Sequence, residues 1–403
     1  MNPIDRRAAA LAALAALALT ACTASGNGSA NAPAAANTPE GTSSLPSAAT
    51  TPDKLNLADV CPATVVLQLD WQPEAAYGGW WTLLGDGYTF DSKLKRAKGP
   101  LVAQGHDTGV DLEVRIGGPG IGYQAVSAVM YSDPSVTVGQ VATDEAIQFS
   151  AKQPTTAIFA PLDISPLGIM WDPATYPNVH SIADLGKEGV KILYAEVAGG
   201  YPIDYLTGIG VLKKSQLDGS YDGSPAPFVA AGGKAALQGF AGSEPYRYEH
   251  DVKAWGKPSK FQTYYDTGYQ PYIGALSIRS GDKQKLAPCL KRLVPIMQQS
   301  QVDYVHSPDR AIGIMVEAAG KYNTGWTYSD GNARFELQKM AELKLAGNGP
   351  NKAIGDFESS RVQKVIDVNT PVLTKEHKAP KPGLTVDDIV TNEFIDPSVG
   401  FAQ

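Results

Sequence analysis

Alternation of strand-like and helix-like segments is the feature that most constrains the fold of this chain. Four segments are typical of strands: "ATVVLQL" (63–69), "VDLEVRI" (110–116), "SVTVGQVA" (135–142) and "TTAIFA" (155–160). Between them, "GYQAVSAVMY" and "TDEAIQFSAKQ" are typical of helices, and Thr143 at the start of the second is a predicted N-cap. This alternation predicts a largely parallel sheet with helices on its faces and ligand-binding loops at the carboxyl ends of its strands.

A second α/β series predicts a second lobe. It begins with "HSIADLGKEGVKILYAEVAGG" (180–200) and continues through a helix-like "PIDYLTGIGVLKK" to a strand-like "APFVA" ahead of "GGKAALQGF". After the strand-like "YIGALSIR" the chain has only helical stretches, which we expect to pack back on the first lobe because they have no strands of their own to cover. The prediction is an α/β fold with lobe 1 at 56–165 and 271–403, and with lobe 2 at 166–270 inserted between two chain crossings.

The N-terminus has the pattern of an export signal. A short positive region ending in Arg6 and Arg7 precedes an apolar run that is too short to span a bilayer comfortably. The following "LTAC" (19–22) matches the bacterial lipoprotein box, which predicts a signal peptide at 1–21 and a lipid on Cys22; the alternative is an ordinary signal peptide with a chance cysteine. Residues 22–55, rich in Ala, Ser, Thr, Asn, Pro and Gly, are a predicted tether to the outer face of the cytoplasmic membrane.

Charge and motif content narrow the function classes. The net charge is −7 and the sequence pI is near 5.3, which disfavours an electrostatic grip on nucleic acid. The five histidines are scattered, and no metal-spaced cluster, HExxH motif or nucleophile elbow occurs, so we expect no metal, no cofactor and no enzyme activity. Cys61 and Cys289 are either a disulfide, as in many exported proteins, or two separate buried thiols.

A series of short motifs resembles a known family. In order along the chain, "LDWQPEAAYGGWW", "GDGYTFD", "VRIGGPG", "VATDEAIQFSAKQ", "SIADLGKEGVKILY" and "GSEPYRYE" resemble the solute-binding proteins of ABC importers, in the branch related to hydroxymethylpyrimidine (thiamine-precursor) binding proteins. The resemblance runs from about residue 61 to residue 279. It implies a type II-like periplasmic binding protein fold, in which two lobes joined by a hinge close on a small molecule. It also implies delivery to a permease and its ATPase, by a protein that we expect to be a monomer.

The resemblance places an aromatic residue of the loop after the first strand in the cleft. Here that residue is Trp71, followed by Gln72, and Tyr77 stands where relatives often carry His. An indole face can stack on a flat ring or hold a cation. Trp80 and Trp81 fall instead on the helix that is expected to pack against the sheet, so we expect them in the core.

Further ligand-binding residues are expected in lobe 1. The turn "GGPG" offers the backbone N–H groups of Gly118 and Gly120 to an anion or a carbonyl, although a plain tight turn explains it equally well. We expect Asp144 and Glu145 either to point a carboxylate at a ligand amine or only to complement the dipole of the helix that they begin. Ser165, at the first predicted crossing, completes this set.

In lobe 2 the resemblance places a strand, a glycine turn and a helix at the cleft, which brings Gly199 and Tyr201 near the ligand. Glu244 matches a ligand-facing glutamate of the relatives, and its carboxylate can accept two N–H bonds from an aminopyrimidine. The alternative is a surface acid paired with Arg247.

These residues rank a pyrimidine or related flat nitrogen heterocycle first as ligand. A small anion such as an alkyl sulfonate is the runner-up, and a ligand-sensing surface lipoprotein is a third possibility. A pyrimidine synthase is disfavoured, because its cysteine cluster is replaced here by residues 245–248, "PYRY". The extra segment at 92–109 has no role assigned from sequence.

Overall fold

The computed structural model describes residues 52–402, which form two sheets with helices on their faces. The predicted signal peptide, the lipidated Cys22 and the tether as far as residue 51 lie outside the described residues. Within them the strands are β1 (Thr64–Gln68), β2 (Thr89–Asp91), β3 (Arg96–Ala103), β4 (His106–Arg115), β5 (Val138–Gln140), β6 (Thr155–Phe159), β7 (Leu167–Trp171), β8 (Lys191–Leu193), β9 (Leu217–Asp218), β10 (Ala235–Phe240), β11 (Lys260–Thr263) and β12 (Leu276–Arg279).

The helices alternate with these strands in the first two thirds of the chain and follow them in the last third. They are α1 (Gly78–Thr82), α2 (Val126–Ser132), α3 (Thr143–Phe149), α4 (Ile182–Glu188), α5 (Glu196–Gly208), α6 (Ala226–Ala230), α7 (Glu244–Tyr246), α8 (Lys283–His306), α9 (Asp309–Tyr322), α10 (Asp330–Glu342), α11 (Ser359–Lys375) and α12 (Val386–Ile389). None of the helices between residues 52 and 402 has the length and apolarity needed to cross a membrane.

The strand order confirms an α/β fold with two sheets. The first sheet has the order β2-β3-β4-β1-β5-β12-β6, and the second has the order β11-β7-β10-β8-β9. The chain leaves the first sheet after β6 and returns to it with β12, so every strand of the second sheet comes from the segment between them. The lobe boundaries at 165/166 and 270/271 stay predictions.

The pairing is mixed rather than largely parallel. In the first sheet, β1 pairs parallel with β4 and β5, whereas the returning strand β12 pairs antiparallel with β5 and β6. The segment at 92–109 forms most of an antiparallel ribbon, because Gln104 and Gly105 take positive φ angles of 51° and 79° and turn β3 directly into β4. Its residues lie at the outer edge of the first sheet.

One predicted strand is wrong. The segment "APFVA" (226–230) forms α6, with Pro225 at its N-cap and Pro227 inside its first turn. Proline is well tolerated at this end of a helix because the amide that it lacks would have no partner there.

Apolar clusters cover both faces of each sheet and define the cores. Trp80 and Trp81 on α1 are fully buried in the core of the first lobe, as predicted, and α1 packs against α8 and α9. A disulfide joins Cys61 to Cys289 on α8.

The helices α10 and α11 each contact both lobes, whereas the prediction placed the late helices on the first lobe alone. From α10, Phe335 packs its ring on Tyr246 of α7 at a centroid distance of 5.3 Å, while the same helix packs on the segment that follows β1. From α11, Oδ1 of Asn369 accepts a hydrogen bond from the hydroxyl of Tyr269 at 3.1 Å, and the helix contacts both α3 and α5. The late helices therefore flank both lobes rather than covering the first lobe alone.

Candidate functional site

A cavity with a volume of about 80 Å³ lies between the two sheets, near the two chain crossings. Space for one buried water is about 10–15 Å³ on this measure, so the cavity is large enough for several waters or a small ring. It is lined by carboxylates and by aromatic rings. The carboxylates are Asp70, Glu74, Asp144 and Glu244, and the rings are Trp71, Tyr201, Tyr221, Phe240, Tyr264 and Tyr269.

The loop after β1 supplies Trp71, which lines the cavity as the resemblance implied. Its ring lies 6.2 Å from that of Tyr123 and 6.4 Å from that of Trp326, measured between centroids. A Cβ added to Gly223 of lobe 2 would lie 3.2 Å from the indole, so only a small residue fits against it there. Residues from both sides of the cleft therefore hold this ring.

The glycine turn after β4 supports this loop instead of forming an anion site. The amide of Gly117 donates to the carbonyl of Trp71 at 2.8 Å, that of Gly118 donates to the carbonyl of Asp70 at 3.0 Å, and that of Gly120 donates to the carbonyl of Gly117 at 2.9 Å. Gly118 and Gly120 lie outside the cavity lining, and Gly118 has a φ of 50° with the Trp71 ring 2.9 Å from the Cβ that it lacks. The amides that we expected to bind an anion are already used by the backbone.

Two other residues predicted in the same region lie outside the cavity lining. Gln72 is buried and accepts a hydrogen bond from Thr324 at 3.2 Å. Tyr77 is also buried, with its ring against Phe240 and against Gly274, whose φ of 57° lets the backbone pass close to the ring. The short interval between the loop and α1 turns these side chains toward the core.

The start of α3 separates the two acids predicted there. Asp144 lines the cavity and accepts a hydrogen bond from the hydroxyl of Tyr269 at 2.8 Å. Burial raises the pKa of Asp144 to about 6, against the opposing effect of that hydrogen bond. Glu145 points elsewhere and accepts the amide of Ser127 at 2.9 Å; burial raises its pKa to about 7.

The N-cap predicted for α3 is wrong by one residue. The cap is Ala142, which makes no side-chain cap. Thr143 is fully buried and its hydroxyl accepts the amide of Tyr272 at 3.0 Å, so its side chain ties the helix to the returning chain crossing.

In lobe 2, Tyr201 and Glu244 line the cavity, as does Ser165 at the first crossing. Gly199 lies within α5, which begins at Glu196, so the glycine turn expected at this point is helical instead. Glu244 is only 3% exposed and is therefore no surface acid. Its Oε2 accepts the amide of Phe240 at 2.6 Å, and burial raises its pKa against the lowering effect of Arg247.

Sequence reasoning missed two carboxylates of the site, Asp70 and Glu74. Asp70 is half-buried as a residue, but its Oδ1 is shielded from solvent and has no hydrogen-bond partner, and burial raises its pKa to about 7. Glu74 is 2% exposed with Oε2 unpartnered; burial raises its pKa well above the usual range, and so do Glu336, Glu244 and Asp70. The signal was present, since both acids flank Trp71 in a loop after a strand.

Within residues 52–402, a second layer behind the cavity contains the one guanidinium that acts on these acids. Arg247 is fully buried, stacks on Trp326 at 4.3 Å and donates to the carbonyl of Gly223 at 2.8 Å. Glu336 of α10 accepts the hydroxyl of Tyr328 at 2.5 Å and the amide of Ala75 at 3.0 Å. This layer connects the loop after β1 with both α10 and lobe 2.

The second lobe contributes a paired polar network. The amide of Gln238 donates to the hydroxyl of Tyr264 at 3.0 Å, and its carbonyl accepts the amide of Ala195 at 3.3 Å. All three residues line the cavity. Among residues 52–402, no group of three or more His, Cys, Asp and Glu side chains is arranged to hold a metal ion. The cavity can therefore stack a flat group against its rings and accept N–H hydrogen bonds from it, and its described side chains are not arranged to hold a metal ion.

Comparison with known proteins identifies the fold. No protein-family model matches this sequence, and none of the curated proteins matches it. A structure from Bordetella bronchiseptica RB50 is similar, with a TM-score of 0.53 and 14% identity over 83% of this chain and 96% of that chain. The periplasmic aliphatic sulphonate binding protein SsuA of Escherichia coli is similar with a TM-score of 0.50 and 11% identity, over 80% of this chain and 90% of its own. Together with the sheet topology, these likenesses show that the chain has the two-lobe α/β fold of periplasmic binding proteins.

Proposed function

We propose that this protein captures a small flat nitrogen heterocycle, such as a pyrimidine, between its lobes and delivers it to the permease and ATPase of an ABC importer. The observation that carries the proposal is the cavity itself, which both lobes line with rings and with hydrogen-bond acceptors. Ligand pockets of this kind bury a flat group between apolar surfaces and orient it with a few polar groups. A lipid on Cys22 would keep the protein beside the permease.

Two observations disfavour a sulfonate or another small anion as ligand. The amides of the glycine turn donate to the carbonyls of Asp70, Trp71 and Gly117. The described lining of the cavity contains four carboxyl groups and no basic side chain, so an anion would find no cation to pair with and would meet like charge wherever a carboxyl is ionised.

The proposal is tested by titrating the purified protein with aminopyrimidines, other heterocycles, sulfonates and amino acids while following tryptophan fluorescence. We expect a saturable change with a heterocycle, because Trp71 lines the cavity and lies near Trp326. Tyr131→Phe is the matched control, since Tyr131 is exposed on α2 and lies outside the lining, and we expect it to bind like the unchanged protein. A response to sulfonates alone would contradict the proposed ligand.

A further inference from the structure

Two carboxylate oxygens at the cavity have no hydrogen-bond partner in the protein. They are Oδ1 of Asp70 and Oε2 of Glu74, and both residues line the cavity. A buried carboxylate oxygen that lacks a donor is costly, so it is met by a donor from a bound group or an ordered water in the cavity, or the carboxyl keeps its proton. Glu74 is only 2% exposed, which rules out bulk solvent as that donor.

The charges around these oxygens are unbalanced. Asp144 and Glu244 also line the cavity, and Glu336 lies directly behind Glu74. Arg247 is the one cation of the described chain that faces this group, and it stacks on Trp326 instead of lining the cavity. With one guanidinium against five buried carboxyl groups whose pKa values are raised, a further positive charge in the cavity would let more of these groups ionise.

The aromatic lining fits the same ligand. Rings of both lobes surround the cavity, and the negative faces of aromatic rings attract a cation, more strongly where water is excluded. The unpartnered oxygens need N–H donors, which a quaternary ammonium lacks. A metal ion fits less well, since no group of side chains between residues 52 and 402 has the arrangement of a metal site.

We propose that the ligand is an organic cation that donates N–H bonds, namely a protonated amine or amidine carried on a flat ring, with its charged nitrogens between Asp70 and Glu74. This inference rests on the proposed function in one respect, that the cavity is the solute site. It narrows the ligand from heterocycles in general, which are mostly neutral, to those that carry a positive charge.

The test compares ligands of the same shape that differ in charge. Benzamidine is paired with neutral benzamide, and 4-aminopyridine, which is protonated at neutral pH, is paired with neutral 4-aminopyrimidine. Calorimetric titration of the whole protein at pH 8 should give at least tenfold tighter binding for the cation of each pair, with no detectable binding of benzoate. Equal or tighter binding of the neutral partners would overturn the inference and leave heterocycle binding intact. No binding of any of the four compounds would overturn both the inference and the proposed function.

A pH series separates charge from shape. The titratable and charged groups near Asp70 and Glu74 are Asp144 in the same lining and, close enough to interact electrostatically, Glu244, Glu336, Glu145, Tyr77 and Arg247. Burial raises the pKa of Asp70 to about 7, so this carboxyl holds its proton at pH 5.5 and has largely lost it at pH 8. Benzamidine stays charged throughout, and we expect its affinity to rise at least tenfold between these pH values while that of benzamide stays level. A flat profile for benzamidine would overturn the inference.

One substitution assigns the effect to the carboxylate. Glu74→Gln keeps the size and removes the carboxyl group that can ionise beside a bound cation, and we expect it to weaken benzamidine binding at least tenfold and benzamide binding less than threefold. The matched control is Glu188→Gln, which removes an exposed acid from α4 and should change neither. If Glu74→Gln fails to fold, Asp70→Asn tests the same prediction. Equal losses for both probes would show a structural role for the acid and overturn the inference.

Discussion

The two sides of the cleft differ in how their polar groups are satisfied. On the side of the first sheet, Asp70 and Glu74 present carboxylate oxygens that have no partner. On the side of the second sheet, Gln238 is paired with Tyr264 and with the amide of Ala195, so its side chain is held in one orientation. The difference supports our proposal that the first side discriminates between ligands by charge, while the second side supplies a rigid surface for a ring.

The largest expected effect concerns stability. Among the described residues, the one disulfide lies in the lobe that forms the first side of the cleft. The Cys61–Cys289 disulfide closes a loop of 228 residues. Replacing both cysteines by serine should lower the free energy of unfolding by about 2–5 kcal/mol, because the unfolded chain regains the freedom that the link removes. Urea unfolding measures this change. The unchanged protein with a reductant is the control and should lose a similar amount, and equal stability in all three cases would contradict the prediction.

The next effect tests whether the first side also supplies the main contact. Trp71→Ala should weaken binding of the best ligand of the panel by about 2 kcal/mol, roughly 30-fold, because a large ring at the centre of a site carries much of the affinity. Calorimetry measures the affinity, because it does not depend on the fluorescence of the replaced tryptophan. Circular dichroism checks that the fold is kept. Unchanged affinity would remove Trp71 from the site.

An effect of similar size is expected from the acids behind the first side. Burial raises the pKa of Glu336 from its usual 4.5 to about 7. Between these values the folded protein binds more protons at this group than the unfolded chain, so stability falls as pH rises through this range and stays low above it. Glu336→Gln removes that loss, and we expect a gain of about 2 kcal/mol at pH 8 and none at pH 4.

Urea unfolding at the two pH values measures the gain. Glu342→Gln on the same helix is the matched control, since its carboxylate is exposed and pairs only with side chains on the surface. It should change stability by less than about 0.5 kcal/mol at either pH. A gain for Glu336→Gln that is equal at both pH values would show that ionisation is not its cause.

The smallest effect should come from the second side. Tyr264→Phe removes the hydroxyl that Gln238 donates to, so stability should fall by about 1 kcal/mol. Ligand affinity should change less than about threefold, since we assign discrimination to the opposite side. Calorimetry and urea unfolding measure the two quantities. A loss of affinity that exceeds the loss caused by Trp71→Ala would reverse the comparison between the sides.

The fold was predictable from sequence because alternation of strand and helix patterns reports local preference directly. The correct placement of Trp80 and Trp81 in the core followed from the same patterns. The pairing direction was missed, because it depends on where the chain crosses between lobes and on the tight turn at Gln104 and Gly105. The segment of α6 resembles a strand because Phe228 and Val229 favour strands, whereas Pro225 and Pro227 favour the start of a helix.

The site was less predictable, for a physical reason. Trp71 and Glu244 were found through the resemblance, but which acids face the cavity depends on the direction of each side chain, as the separation of Asp144 from Glu145 shows. The hydrogen bonds of the glycine turn involve backbone groups of a loop nearly fifty residues earlier in the chain. Such long-range pairing leaves no local pattern, so the sequence could not choose between an anion site and a plain tight turn, whereas the hydrogen bonds favour the turn.

The contacts of α10 and α11 with both lobes bear on how fast the cleft can open. Opening the cleft would separate Phe335 from Tyr246 on one flank and Asn369 from Tyr269 on the other, so both flanks have to release together. The opening step would then set a ceiling on the rate of ligand capture, and at high ligand concentration the observed rate would level off instead of rising further. If the cavity holds a solute, as we propose, the same contacts of α10 and α11 would slow its release.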